Sequence, residues 1–171
     1  LLDTAIKRLR KDDTAMKYNV TVKTMPERYV ASVRKVIPSY EQEGMLWGIM
    51  MSETACMGMQ IAENCNSLAM FHDDGYKESD VDVEVQMTVK GSYKNTENVV
   101  FKTVPAVEIA SATYKGSYEQ MPAVNHAVAS WVQDNGYEFN DMMFCIYHVS
   151  PNQTQNPDEY VTEVCYAVKK K

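Results

Sequence analysis

The chain of 171 residues lacks the signatures of several functional classes. No apolar run approaches the roughly 18 residues of a transmembrane helix, and no signal peptide is recognisable. The four cysteines form no CxxC pair and the three histidines share no ligand spacing. A Gly-rich phosphate loop and a Gly-x-Ser-x-Gly nucleophile elbow are also missing. We therefore expect no membrane span, no metal ion and no cofactor.

Positive charge is also scarce. The chain has 17 basic and 23 acidic residues, which gives a net charge of −6. An acidic surface repels phosphate backbones, so direct nucleic-acid contact by this chain is disfavoured, whereas cationic small molecules are attracted. The apolar share of 45% is that of an ordinary globular protein, and the cysteines are expected to be reduced thiols in a cytoplasmic protein.

The most informative feature that is present is an internal repeat. The segment Ala31-Ser32…Ser39-Tyr40-Glu41-Gln42 returns as Ala110-Ser111…Ser117-Tyr118-Glu119-Gln120, and Val83-Glu84-Val85 returns as Thr162-Glu163-Val164. Two copies are too few for a solenoid, which needs at least three stacked units. The repeat therefore predicts two halves related by pseudo-two-fold symmetry, with repeat one at about 17–90, repeat two at about 97–171 and a central ligand-binding cleft.

The hydrophobic period predicts where strands and helices lie in the first half. Strands are predicted around Val20–Val22, at Arg28–Val36, Ser67–His72 and Val81–Val89, with a polar Asp73-Asp74-Gly75 turn between the last two. A helix begins at Ser39, where Gln42 completes a predicted capping box, and extends as far as Ile61.

The second half repeats this order. Strands are predicted at Pro105–Lys115, Met142–Val149 and Tyr160–Val168, and Ser117 is predicted to cap a helix that ends before Asn135-Gly136. Each half thus follows a βαββ order. We predict an α+β fold, with an antiparallel sheet and the helices on one of its faces.

Residues 1–16 form a separate predicted segment. Leu2, Ile6 and Leu9 mark one face of a short helix, which alone is too short to be stable. The chain also begins at leucine rather than methionine, so we expect a helical linker stub from a longer protein, followed by one domain over 17–171.

Several segments together resemble the GyrI-like effector-binding domain. They are Tyr114-Lys115-Gly116-Ser117-Tyr118, Asn135-Gly136-Tyr137, Ile146-Tyr147, Thr162-Glu163-Val164 and, in the first half, Glu43-Gly44-Met45-Leu46-Trp47 and Asp82-Val83-Glu84-Val85. Residues 1–20 resemble the linker that joins this domain to the dimerisation helix of MerR-type regulators.

This resemblance implies a bacterial multidrug sensor rather than an enzyme. The expected partner is a lipophilic, often cationic, small-molecule effector bound in the cleft. DNA would be bound only through a helix-turn-helix domain upstream of this chain, in a full-length homodimer. Two alternatives stay open: a hydrolase that uses a cleft glutamate, and a stand-alone protein-binding module like the gyrase-inhibitory relatives.

Glu163 is the main candidate for ligand binding, because a carboxylate in a groove of low dielectric attracts a cation strongly. The resemblance also places a glutamate of this position in the cleft. Aromatic ring faces attract cations as well, and a methionine-rich helix adapts to varied ligands. These arguments add Tyr147, Trp47, Tyr114, Tyr118 and Met50 to the candidate set.

Each candidate also has a purely structural interpretation. Glu163 could point to solvent or pair with a lysine across the sheet, and the tyrosines and methionines could be ordinary core. Glu84, the repeat mate of Glu163, lies between Asp82 and Gln86 in what resembles a solvated polar face. His72 and His148, near strand ends, are expected to be exposed or capping residues without special function.

Overall fold

A computed structural model describes residues 18–171 except Asn64, Asp74–Tyr76 and Asn152. The predicted linker at residues 1–16 and most of the predicted Asp73–Gly75 turn lie outside the described residues. Within the described part, nine strands and two α-helices form an α+β structure, which confirms the predicted fold class. In the same part of the chain, no helix is long and apolar enough to cross a membrane.

The strands and helices follow one another in a simple order. The strands are β1 (Thr21–Met25), β2 (Arg28–Ile37), β3 (Gln60–Ile61), β4 (Ser67–Phe71), β5 (Val81–Lys90), β6 (Val100–Val104), β7 (Val107–Lys115), β8 (Tyr137–Val149) and β9 (Val161–Lys170). The helices are α1 (Gly44–Thr54) and α2 (Met121–Asp134), and each follows a short 3-10 turn.

The chain divides into two compact units. The first, here the β5 unit, comprises Met25–Val107 and Met142–Ile146. Its strands are hydrogen-bonded in the order β8-β4-β5-β2-β6, and β3 pairs with the end of β5. The fully buried side chains of Val33, Val85 and, on α1, Leu46 belong to its core.

The second, here the β9 unit, comprises residues 18–24, Glu108–Asp141 and Tyr147–Lys171. Its strands are ordered β1-β7-β9-β8. Helix α2 buries an apolar stripe, and Asn125 on this helix accepts a hydrogen bond from the Tyr166 hydroxyl of β9 at 3.2 Å. Helix α2 therefore packs on the face of β9 to which Tyr166 belongs.

Ser39 and Ser117 do stand at N-cap positions, but of the 3-10 turns that precede the helices, and neither makes the predicted side-chain capping bond. In those turns the serine backbone carbonyls accept the N–H groups of Gln42 and Gln120, at 3.1 and 3.3 Å. The predicted end of α2 is confirmed: Asn135 is the C-cap and the following glycine has the left-handed φ of 78°.

Two strand assignments also differ from the prediction. Ile61 lies in β3 rather than on the helix, because Gly58 in the left-handed conformation ends the helical segment. Strand β6 was not predicted at all. It is five residues long and contains Lys102, but its pairing with β2, which aligns Phe101 with Ala31, fixes it in the sheet.

Candidate functional site

A buried carboxylate marks the sheet of the β9 unit. Glu163, in the middle of β9, is only 3% exposed and binds three side chains. The Lys23 ammonium lies 2.6 Å from Oε2, and the Ser111 hydroxyl donates to the same oxygen at 2.7 Å. Nε2 of His148 donates to Oε1 at 2.9 Å. Both carboxylate oxygens are therefore hydrogen-bonded, and we call these four residues the Glu163 cluster.

Strand geometry explains how the Glu163 cluster forms. Glu163 pairs with Thr113 and Cys165 pairs with Ser111 across β9 and β7, so the serine lies diagonally opposite the glutamate on the same face. The other two members come from β1 and from the end of β8. Four strands thus supply one residue each.

The Glu163 cluster keeps its carboxylate ionised. Burial by itself would raise the pKa of the Glu163 carboxyl, but hydrogen bonds from His148, Lys23 and Ser111 lower this pKa to about 2. At neutral pH Glu163 is therefore a fixed negative charge. A carboxylate with so low a pKa is a weak proton acceptor, which disfavours it as a general base.

The β5 unit contains an equivalent cluster around Glu84. This residue is 2% exposed, and Lys102 lies 2.6 Å from its Oε2. His72 donates to Oε1 at 2.9 Å and the Gln86 amide donates to Oε2 at 2.7 Å. Burial raises the pKa of Glu84, but bonds from His72, Lys102 and Gln86 outweigh it and lower the pKa to about 2.

The two clusters follow the internal repeat of the sequence. The lysines Lys23 and Lys102 are 79 positions apart, as are Glu84 and Glu163. In each cluster, however, the lysine comes from the leading strand of the other sequence half: β1 serves the Glu163 cluster and β6 serves the Glu84 cluster. The third donor also differs, since a serine hydroxyl replaces a glutamine amide.

Sequence reasoning misjudged three of these residues. Glu84 was expected on a solvated face, yet it is buried, because a lysine and a histidine compensate its charge. His72 and His148 were expected to have no special function, yet each binds a buried glutamate. The missed lysines had left a signal, since Lys23-Thr24 and Lys102-Thr103 are identical dipeptides at the repeat spacing of 79.

Two predicted tyrosines do come together in the β9 unit. The rings of Tyr118 and Tyr147 meet edge to face with centroids 6.2 Å apart, and Tyr118 also stacks on Tyr160 at 5.1 Å. Tyr118 is an exposed residue of the 3-10 turn before α2, and Tyr147 is half-buried in β8. These three residues form an aromatic cluster near the start of α2.

The tyrosines lie on the opposite sheet face from Glu163. Successive side chains of a strand alternate between faces, so Tyr147 points away from the face that His148 shares with Glu163. The same rule applies to Tyr114, which pairs with Thr162 while its neighbour Thr113 pairs with Glu163. Tyr114 is buried, on the face that α2 covers.

The remaining candidates belong to the β5 unit. Trp47 is half-buried on α1, and its indole N–H donates to Glu43 Oε2 at 3.1 Å. Met50 is fully buried in the core, whereas Met45 and Met51 on the same helix are exposed. The ligand-binding roles assigned to Trp47 and Met50 from the sequence stay predictions.

The described residues show little that would serve covalent or metal chemistry. Among them, no group of three His, Cys, Asp or Glu side chains is arranged to hold a metal ion. None of the four cysteines, all of which lie in the described part of the chain, forms a disulfide bond. Burial raises the pKa of Cys145 to about 12, with Glu43 adding to the effect, so this thiol is a poor nucleophile.

Among solved structures, the fold is similar to that of a transcription regulator. The crystal structure of the EcmrR C-terminal domain is 26% identical with a TM-score of 0.84, covering 90% of this chain and 99% of that one. EcmrR in a complex with DNA is 24% identical, again with a TM-score of 0.84, covering 99% of this chain and 70% of that one. EcmrR belongs to the MerR family.

More distant structures share the fold alone. A hydrolase from Listeria innocua is 14% identical with a TM-score of 0.59, covering 93% of this chain and 98% of that one. The structure of SAV2435 bound to tetraphenylphosphonium is 11% identical with a TM-score of 0.57, covering 88% and 94%. No curated protein matches the sequence. The family model for GyrI-like small molecule binding domains matches residues 18–169, and the chain belongs to that family.

Proposed function

We propose that this domain senses a lipophilic cation for a bacterial, cytoplasmic MerR-type regulator, and that Glu163 supplies the negative charge for binding. The family binds small molecules, and the likeness to EcmrR supports a regulatory context. The observation that carries the proposal is a carboxylate that stays ionised at neutral pH, almost fully buried, beneath side chains that are themselves half exposed.

A lipophilic cation fits this carboxylate for a physical reason. Two unit charges 4 Å apart attract each other by about 4 kcal/mol at an effective dielectric constant of about 20, against about 1 kcal/mol in bulk water. A cation whose charge is spread over apolar groups is weakly hydrated, so it loses little hydration free energy when it moves from water to the low-dielectric surroundings of Glu163. The domain therefore favours lipophilic cations over strongly hydrated ones.

The Glu163 cluster suits a ligand better than the Glu84 cluster, because its covering side chains are more exposed. Lys23 is 51% exposed against 42% for Lys102, and His148 is 41% exposed against 22% for His72. The carboxylates of Glu163 and Glu84 are about equally buried, but the side chains that cover Glu163 are more open to solvent.

Regulation through this domain requires more than tight binding. The effector has to bind one conformation better than another, since equal affinity for both shifts nothing. In the proposed full-length protein, which we infer to be a homodimer, DNA is bound by a separate domain, as the EcmrR–DNA complex suggests by analogy. SAV2435, with the same fold, holds tetraphenylphosphonium, which supports the proposed ligand class.

The proposal is tested with two ions of equal shape and opposite charge. Tetraphenylphosphonium and tetraphenylborate are titrated against the protein, and binding is followed by the fluorescence of its two tryptophans. We expect the phosphonium to bind and the borate not to bind. The variant Glu163→Gln should weaken phosphonium binding at least tenfold, about 1.4 kcal/mol, while the matched variant Glu84→Gln leaves it unchanged.

Further variants test the aromatic candidates. If Tyr147→Leu abolishes phosphonium binding and Glu163→Gln does not, the ligand binds on the α2 side of the sheet and the proposed role of Glu163 is wrong. Equal binding of the borate would also contradict the proposal. Corresponding variants of Tyr114, Tyr118 and Trp47 in the same titration decide whether these residues contact the ligand.

We do not propose an enzymatic or gyrase-inhibitory role. The hydrolase from Listeria innocua shares only the fold at 14% identity, and the low pKa of Glu163 makes this residue a poor general base.

A further inference from the structure

We propose that Lys23 is a built-in competitor for the effector, and that a bound lipophilic cation takes the place of its ammonium group beside Glu163. This inference rests on the proposed function and concerns the same carboxylate. Its starting point is that the position best suited to a cation already holds one, 2.6 Å from Oε2 of Glu163.

Lys23 is able to leave this position when another cation replaces it. Its side chain is 51% exposed, so its ammonium recovers water when it swings away from the sheet. Leaving the buried carboxylate without a counter-charge would be costly, but the entering cation supplies that charge. A ligand that brings apolar surface as well as charge gains burial that the lysine ammonium does not provide.

Glu163 remains hydrogen-bonded after the lysine leaves. His148 still donates to Oε1 at 2.9 Å and Ser111 still donates to Oε2 at 2.7 Å. The lysine takes away its charge and one of the two hydrogen bonds to Oε2, but each carboxylate oxygen keeps one donor, so the replacement cation has to supply only charge. Quaternary ammonium and phosphonium ions, which have no N–H groups, are therefore suitable replacements.

In this proposal Lys23 limits the affinity of the site for the ligand without having to touch the ligand. Every binding event has to displace Lys23, so removing its charge should strengthen the binding of cations. The chain provides a matched control, because Lys102 makes the same 2.6 Å contact with Glu84 in the other cluster.

The first experiment compares tetraphenylphosphonium affinities by fluorescence titration. We expect Lys23→Met to bind the ion at least fivefold more tightly than the unmodified protein, and Lys102→Met to bind it with unchanged affinity. Unchanged or weaker binding by Lys23→Met, in a protein that still requires Glu163 for binding, overturns the inference and leaves the proposed function intact. If the unmodified protein and the variants all fail to bind the ion, the proposed function itself is overturned.

A second measurement uses the unmodified protein, so it does not depend on how well the variants fold. Lysine acetylation by a limiting amount of reagent is quantified by mass spectrometry, with and without saturating tetraphenylphosphonium. When the Lys23 ammonium is released from Glu163, the labelling of Lys23 should rise several-fold, while the labelling of Lys102 stays unchanged. Constant or reduced labelling of Lys23 in the bound state contradicts displacement.

Discussion

Replacing Glu163 with glutamine should make the stability of the protein less sensitive to acid. The fold lowers the pKa of this carboxyl from 4.5 to about 2. A difference of roughly 2.5 pKa units, at 1.36 kcal/mol per unit, corresponds to about 3 kcal/mol of stability. Glu163 itself is 3% exposed, but Lys23 and His148 are 51% and 41% exposed, so solvent screening makes this figure an upper bound.

The sign follows from proton linkage. Because the pKa is lower in the folded state, this stabilisation is fully present above pH 4.5 and is lost as the pH falls toward 2. The Glu163→Gln variant should therefore be less stable than the unmodified protein at pH 7, by up to about 3 kcal/mol. At pH 2, where the Glu163 carboxyl is about half protonated in the folded protein, the difference should have fallen below about 0.5 kcal/mol.

Urea unfolding followed by circular dichroism, at several pH values between 7 and 2, measures this difference. The exposed Glu108 of β7 provides a control, and Glu108→Gln should change the free energy of unfolding by less than about 0.5 kcal/mol at any pH. A stability difference for Glu163→Gln that stays constant down to pH 2 would refute the reasoning, because it would show a loss of packing rather than of charge.

Two further pairs of variants test local features of the fold. Gly116 has a φ of 125° and an added Cβ would collide with the Gln120 side chain, so Gly116→Ala should lower the free energy of unfolding by about 1–3 kcal/mol. At Gly48 in α1 an added Cβ would have no atom within 4 Å, so Gly48→Ala should instead raise the free energy of unfolding by about 0.5–1 kcal/mol. Thermal unfolding compares the two variants. Ser111→Ala removes a bond to a carboxylate, worth about 1.5–3 kcal/mol, whereas Ser32→Ala removes a bond to a backbone carbonyl, worth about 0.5–1.5 kcal/mol. Urea unfolding at pH 7 should show that order, and the reverse order would contradict the assigned acceptors.

The fold was predictable because its signals are local or repeated. Alternation of apolar residues located β2, β4 and β5 to within about two residues, and the Asn135-Gly136 pair marked the end of α2. The N-cap positions of Ser39 and Ser117 were predicted correctly, but their side chains make no capping bond, and the motif does not reveal that a 3-10 turn precedes the helix. Strand β6 was missed because two of its five residues are polar and only its pairing with β2 holds it.

The candidate site was predictable only in part. The repeat and the strand context of Glu163 pointed to this residue, but its partners lie on three other strands, and strand order is not encoded in hydrophobic period. Alternation would have separated His148 from Tyr147 once both were placed in β8. Nothing in the sequence alone showed that the lysine of one half forms an ion pair with the glutamate of the other half.

That exchange of lysines ties each cluster to a different strand. Lys102 lies on β6, in the middle of the chain, so displacing it would act on an internal strand. Lys23 lies on β1, the first strand of the domain, and its bond to Glu163 ties β1 to the last strand, β9. In the proposed mechanism a cation that replaces Lys23 would remove this tie between β1 and β9. Of the two equivalent carboxylates, Glu163 is therefore the one whose occupation we propose to be signalled to the DNA-binding domain that we infer for the full-length regulator.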